Sequence, residues 1–168
     1  MVKPIKRSKN SIPRGVDIGH VHLKTADIDR IYKFYVDILG FDVIAELPDA
    51  LFLSSGGYHH HLGFNTWESK DGSPPPPGTT GLYHVAIRYK KRIDLADALK
   101  RLAKAGWPVD GASDHGTHEA IYLRDPDENG LELYWDRPKK DWPLDDKGHL
   151  AFVMKPLDIK GLLQQNRP

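Results

Sequence analysis

IGHVHLK at residues 18–24 and LYHVAIR at residues 82–88 decide the fold, because they are one strand pattern written twice, with Leu82 standing 64 positions after Ile18. Both alternate apolar and polar side chains with the period of a half-buried strand. Both also place a histidine third, His20 and His84. The segments downstream of the two copies match too. After the first, Thr25 or Asp27 offers a helix N-cap, Ile28, Ile31, Tyr32, Tyr35, Ile38 and Leu39 recur at helical spacing, and Gly40 ends the helix. Short strands are predicted at 41–47, 50–54 and 58–66, broken by Pro48-Asp49 and Gly56-Gly57. After the second copy, Leu95, Ala98, Leu99 and Leu102 mark one face of a helix at 94–106, closed by Gly106 and Pro108. Residues 107–111, 120–124 and 131–135 then supply three more extended segments, the last two joined by the turn-rich Asp125-Pro126-Asp127-Glu128-Asn129-Gly130.

Each half therefore reads βαβββ, over residues 16–66 and 82–138, with a proline-rich link at 67–81. Residues 1–15 are expected as a solvated basic arm carrying Lys3, Lys6, Arg7, Lys9 and Arg14. Residues 139–168 form a C-terminal extension with a short strand at 150–154 and a helix at 157–164, packed outside the repeat or against a second subunit. Modules this small cannot bury a sheet face alone, so they pair and enclose the space between their sheets.

The bulk composition narrows the function classes. With 168 residues, 39% hydrophobic and 28% charged, the chain fits one globular domain, and a net charge of +1 gives no reason to expect nucleic acid. No run approaches the length of a membrane helix and no apolar segment comes after the N-terminal charges, so a cytoplasmic location is expected. There are no cysteines, which leaves His, Asp and Glu as the strong metal ligands. Eight of the nine histidines lie between His20 and His118.

His20, His84 and Glu132 fall on three different strands at positions expected to face the space between the sheets. Two imidazoles and a carboxylate make the facial set that holds Fe(II) with positions left open, and Zn(II), Ni(II) or Mn(II) could take the same ligands. A single strand histidine is ordinarily a hydrogen-bonded structural residue, and a single strand glutamate a wet edge residue. The recurrence of histidine in both modules argues against those readings here. His59-His60-His61 would alternate faces on a strand, so at least one points inward as a candidate general acid or base. Tyr122 lies on the strand before Glu132, with His115 and His118 in the loop leading to it, and its hydroxyl could serve as a donor to an oxyanion.

Residues 18–138 resemble the vicinal oxygen chelate superfamily, and within it the extradiol catechol dioxygenases. The marks are the repeated strand histidine, the helix from Ala26-Asp27-Ile28 to Leu39-Gly40-Phe41, and Asp125-Pro126-Asp127 leading to Gly130 and Glu132. The narrower mark is His115-Gly116-Thr117-His118 followed by Tyr122 ten residues before Glu132. Glyoxalase-like members usually place a carboxylate on the last strand of the first module, where this chain offers His60 or His61.

The resemblance implies an α+β fold of two paired βαβββ modules enclosing a metal-centred cleft, with His20, His84 and Glu132 as metal ligands. It implies His60 as the acid-base residue, or His61 if the strand slips by one, and His115 and Tyr122 as contacts to substrate oxygens. The expected activity is ring cleavage of a small catechol by O2 with Fe(II), in a homodimer that engages neither nucleic acid nor membrane. A metal-dependent isomerase or lyase, and a binding protein for flat aromatic compounds, are the alternatives on the same frame. The familiar ring-cleaving enzymes carry four modules where this chain carries two.

Overall fold

A computed structural model describes residues 8–165. Lys3, Lys6 and Arg7 of the expected arm lie outside the described residues. The first module runs β1 (Val21–Lys24), α1 (Ile28–Tyr32), β2 (Asp42–Leu47), β3 (Ala50–Ser54) and β4 (Leu62–Asn65). The second runs β5 (Val85–Tyr89), α2 (Arg92–Lys104), β6 (Gly111–Asp114), β7 (His118–Arg124) and β8 (Gly130–Asp136). The sheets have the same plan. Strand order is β1-β4-β3-β2 in one and β5-β8-β7-β6 in the other, with a parallel pair, β1 on β4 or β5 on β8, in each.

Side-chain alternation sorts each sheet into two faces. Val21, Leu23, Leu51, Leu53, Leu62 and Phe64 turn to one side of the first sheet, and Val85, Ile87, Ile121, Leu123, Leu131 and Leu133 to one side of the second. All of them join a single core with α1 and α2. The helices of both modules thus fill the region between the two sheets, and the opposite face of each sheet turns away from it.

Several contacts lock the modules in this arrangement. Arg101 of α2 donates to the carbonyls of Ile38 (2.8 Å) and Leu39 (2.9 Å) at the end of the first helix, satisfying groups that a helix terminus leaves open. In the β7–β8 turn, Asp127 accepts from Thr25 Oγ1 (2.5 Å) and Arg30 (2.6 Å). Asp125, 2% exposed, accepts from the amides of Asp127 and Asn129 and from Tyr35 Oη at 3.1 Å. Burial pushes the Asp125 carboxyl up from the usual carboxylate range, against the pull of those hydrogen bonds, and lifts the Tyr35 hydroxyl well above its ordinary value.

The first helix departs from the expected 3.6-residue spacing. Asp27 caps it, accepting from the amides of Asp29 (2.8 Å) and Arg30 (3.3 Å), but over Lys33–Ile38 it widens into π geometry. The extra residue lets the consecutive Phe34 and Tyr35 both sink into the core at 0% exposure. Gly40, at φ +84, then turns the chain out of the helix.

The strands are shorter than the sequence pattern suggests. His20 and His84 stand one residue before β1 and β5, and the second strand of the second module forms at Gly111–Asp114 in place of 107–111. The segment 58–61 is not a strand. It bends, because Ser54 Oγ and the amide of Ser55 hold His61 Nδ1 at 3.1 and 3.3 Å and fold the chain back before β4 begins. The expected strand at 150–154 reduces to a bridge between Leu144 and Leu150, and pairing with β6 falls instead to β9 (Lys155–Pro156). The last helix, α3 (Ile159–Leu163), packs on α2 and buries Leu162. Among the described residues no helix is long and apolar enough to cross a membrane.

Candidate metal centre

The second sheet builds its site from register. Leu131 and Leu133 face the core, so Glu132 points to the opposite face, where it is 8% exposed and stands directly across from Tyr122 of β7. The Tyr122 hydroxyl donates to Glu132 Oε1 at 3.2 Å, and His115 Nε2 lies 2.9 Å from the same hydroxyl. A hydroxyl has one hydrogen to give, so His115 must supply the hydrogen of its own contact. The result is a directed chain from His115 Nε2–H to Tyr122 to the carboxylate. Burial, then the charge and hydrogen bond of Glu132, push the Tyr122 hydroxyl up to about 12, so it remains a donor at neutral pH. His84 Nε2 sits 3.0 Å from the other oxygen, Oε2.

The first sheet gathers a second group. His20 packs its ring 4.4 Å from that of His60, and His60 Nδ1 is 2.8 Å from His59 Nδ1. Partial desolvation, followed by the neighbouring His20 and His59, lowers the His60 imidazole below its ordinary value, which favours the neutral ring. His61 is turned toward Ser54 and lies against Tyr58. Of the two histidines that the sequence leaves open, His60 is therefore the one that shares space with His20.

His84, Glu132, Tyr122 and His115 are thus brought together on one sheet, and His20 and His60 on the other. Among the described residues no three His, Asp or Glu side chains converge as a metal-holding set. The donor chemistry nonetheless fits a divalent ion: an imidazole nitrogen and a carboxylate oxygen 3.0 Å apart are spaced like adjacent ligands around an ion with bonds of about 2.1 Å. Sequence reasoning left His118 without a role. Its Nε2 lies 3.3 Å from Glu132 Oε1, and its ring stacks on His115 at 4.6 Å. The signal was even spacing, since His118, Ala120 and Tyr122 share a face once β7 is known to start at His118.

Residues 17–133 match the model of the Glyoxalase/Bleomycin resistance protein/Dioxygenase superfamily. The chain is 36% identical over 157 residues to a catechol-2,3-dioxygenase of Bacillus subtilis, covering 92% of this chain and 54% of that protein. It is 31% identical over 121 residues to biphenyl-2,3-diol 1,2-dioxygenase 3 of Rhodococcus globerulus, covering 71% and 63%. A manganese-dependent 2,3-dihydroxybiphenyl 1,2-dioxygenase of Geobacillus genomosp. 3 is 27% identical, covering 79% and 40%. The chain thus spans between 40% and 63% of the length of these relatives. Among solved structures, a glyoxalase/bleomycin resistance protein/dioxygenase from Alicyclobacillus acidocaldarius superposes with a TM-score of 0.58 at 21% identity, over 74% of this chain and 94% of that one. A lactoylglutathione lyase from Agrobacterium tumefaciens does so with 0.56 at 21% identity, over 74% and 96%. At such identities the likeness speaks for the fold alone.

Proposed function

This chain belongs to the Glyoxalase/Bleomycin resistance protein/Dioxygenase superfamily, and on that premise we propose that it is a divalent-metal-dependent extradiol dioxygenase that opens the ring of a small catechol with O2. The observation that carries the reading is the pairing of His84 Nε2 with Glu132 Oε2 at 3.0 Å, backed by the directed chain from His115 through Tyr122 to Glu132 Oε1. The names of three relatives, all dioxygenases of aromatic diols, support the same chemistry.

His20, His84 and Glu132 would hold the metal, with Fe(II) preferred and Mn(II), named in one relative, as well as Ni(II) or Zn(II) suited to the same donors. When bound, the ion supplies a Lewis acid for the diol oxygens and a route for electron density from diol to O2. The remaining chemistry belongs to the chain. Glu132 offsets one positive charge, and the Tyr122 hydroxyl fixes the orientation of its carboxylate. His60, with Nδ1 occupied by His59, takes the diol proton at Nε2.

Because the helices fill the region between the sheets, the face with His20 and the face with His84 and Glu132 both turn outward from one chain. A homodimer resolves this. A two-fold axis that sets the first sheet of one copy against the second sheet of its partner closes two equivalent sites. Large apolar side chains beside both histidines, Ile18 at 86% and Tyr83 at 87% exposure, would then be covered.

The test is oxygen uptake by the anaerobically purified, Fe(II)-reconstituted protein when catechol is added, with His84→Ala as control. Uptake lost in the control supports the dioxygenase reading. Metal-replete protein that consumes no oxygen with any simple catechol overturns it in favour of an isomerase or lyase on the same frame.

A further inference from the structure

His22 comes two residues after His20 and shares its face of the first sheet, yet the chemistry above makes no use of it. Its surroundings hold it firmly. Gly63 of β4 pairs directly across from His22, and a Cβ at position 63 would stand 3.1 Å from ring atoms Cγ and Nδ1. The imidazole can lie over β4 because its cross-strand partner has no side chain. Phe52 meets the ring edge-on at 5.7 Å, and Trp67 flanks it at 5.7 Å. Asn65, 9% exposed, closes one end with its amide nitrogen 2.9 Å from His22 Nε2.

These contacts fix the tautomer. Asn65 Oδ1 accepts from the backbone N–H of Trp67 at 3.2 Å, so the amide must turn its NH2 toward His22. Nε2 then accepts, and the ring hydrogen resides on Nδ1. Among the described residues Nδ1 has no hydrogen-bond partner. His22 therefore presents an unused N–H donor between two aromatic side chains, one extended step along the strand from the expected metal ligand.

We propose that His22, Phe52 and Trp67 form the subsite for a ring substituent, and that the preferred catechols carry a carbonyl-type hydrogen-bond acceptor on the ring edge remote from the diol. The aromatic pair supplies the apolar walls, although His22 and Trp67 are exposed in the free chain, and the Nδ1–H supplies selection among substituents of similar size, because a docked ring strips water from this donor and leaving it then without an acceptor is costly. This inference rests on the diol reading of the site, in which the hydroxyls lie at His20, His84 and Glu132 and the ring extends over β1 and β4.

The experiment compares two catechols of matched shape, 4-(2-oxopropyl)catechol and 4-isobutylcatechol, binding to the anaerobic metal-loaded protein by calorimetry. The methylene in each insulates the diol from the substituent. The ketone is expected to bind about fivefold more tightly, the yield of one ordinary hydrogen bond. His22→Phe, which keeps an aromatic ring between Phe52 and Trp67, should bring the two affinities within about twofold. A wild type without preference, or a preference that survives His22→Phe, overturns the subsite while leaving the diol reading intact. Failure of both catechols to bind overturns the diol reading and the subsite with it. Independently of metal and substrate, long-range nitrogen–proton correlation spectra of the wild type should show hydrogen on Nδ1 of His22. Hydrogen on Nε2 would remove the donor and refute the proposal.

Discussion

Tyr122→Phe removes one oxygen atom and with it both hydrogen bonds of the chain behind Glu132, those to Glu132 Oε1 at 3.2 Å and from His115 Nε2 at 2.9 Å. A hydrogen bond to a charged group contributes about 1.5–3 kcal/mol when fully desolvated. Tyr122 is only partly buried, so the loss of fold stability should be nearer ~1 kcal/mol, which in a domain of this size lowers Tm by about 2–4 °C. The effect on the metal should be larger in proportion. Glu132 would lose the donor that fixes its Oε1, and removal of such outer partners typically weakens metal affinity about 10–100-fold. Competition of Fe(II) or Mn(II) against a chelator measures that affinity directly, and thermal unfolding of the metal-free variant measures the first quantity. Metal affinity within about twofold of wild type, in a variant that folds normally, would refute the role of Tyr122 as the group that positions Glu132.

Glu119 is 3% exposed and accepts from Arg92 Nε and Arg137 at 2.7 Å each. Glu119→Ala strands the Arg92 guanidinium and leaves Arg137 with Asp114 alone at 2.8 Å, and since both arginines retain some solvent the cost should be about 2–3 kcal/mol, at or below the low end for a broken buried pair, read as a shift in the urea midpoint at unchanged slope. At high pH the tyrosines should dominate stability. Burial raises Tyr35, Tyr89, Tyr122 and Tyr134, the second and third to about 12. A folded-state value above the unfolded one means that the native state holds protons the unfolded chain has lost. The contribution is therefore fully present below pH 10 and is lost as pH rises toward 12. Absorbance titration of the phenolate should accordingly show at least four of the seven tyrosines ionising late, and Tyr89→Phe should flatten the fall in unfolding free energy between pH 10 and 12. A stability that stays level across that window would contradict the burial assigned to these hydroxyls.

The repeat was legible because both modules keep a period-2 strand ahead of a helix, and the turn from Asp125 to Gly130 was legible because its residues allow little else. The bend at 58–61 was misread as strand. Three histidines carry no apolar alternation, and the bonds from Ser54 Oγ and the Ser55 amide to the His61 ring that shape the bend are invisible without coordinates. The π turn escaped because an inserted residue alters the spacing on which the pattern rests, leaving Phe34 and Tyr35 side by side in the core. The sequence also showed that two modules must pair, but the expectation that the faces bearing His20, His84 and Glu132 meet across the space between the sheets did not reckon with the helices, which fill that space. Arg101 bonding to Ile38 and Leu39, and Asp127 bonding to Thr25 and Arg30, set the helices of both modules against each other, and contacts 62–102 residues apart leave no local trace. For the site, histidine recurrence marked His20 and His84. The role of His22 depends on a glycine across the strand, which only the register reveals.

Complementation between two damaged chains tests the shared metal site most directly. In a two-fold dimer each chain gives His20 to one site and His84 with Glu132 to the other. His20→Ala and Glu132→Ala homodimers should each bind little metal. Co-expressed in equal amounts, they should form about half heterodimers, each with one doubly damaged and one intact site, so metal should return to about a quarter of the wild-type stoichiometry. A mixed preparation that binds no more metal than the separate variants, while wild type binds fully, would contradict a site built from His20 of one chain and His84 and Glu132 of the other.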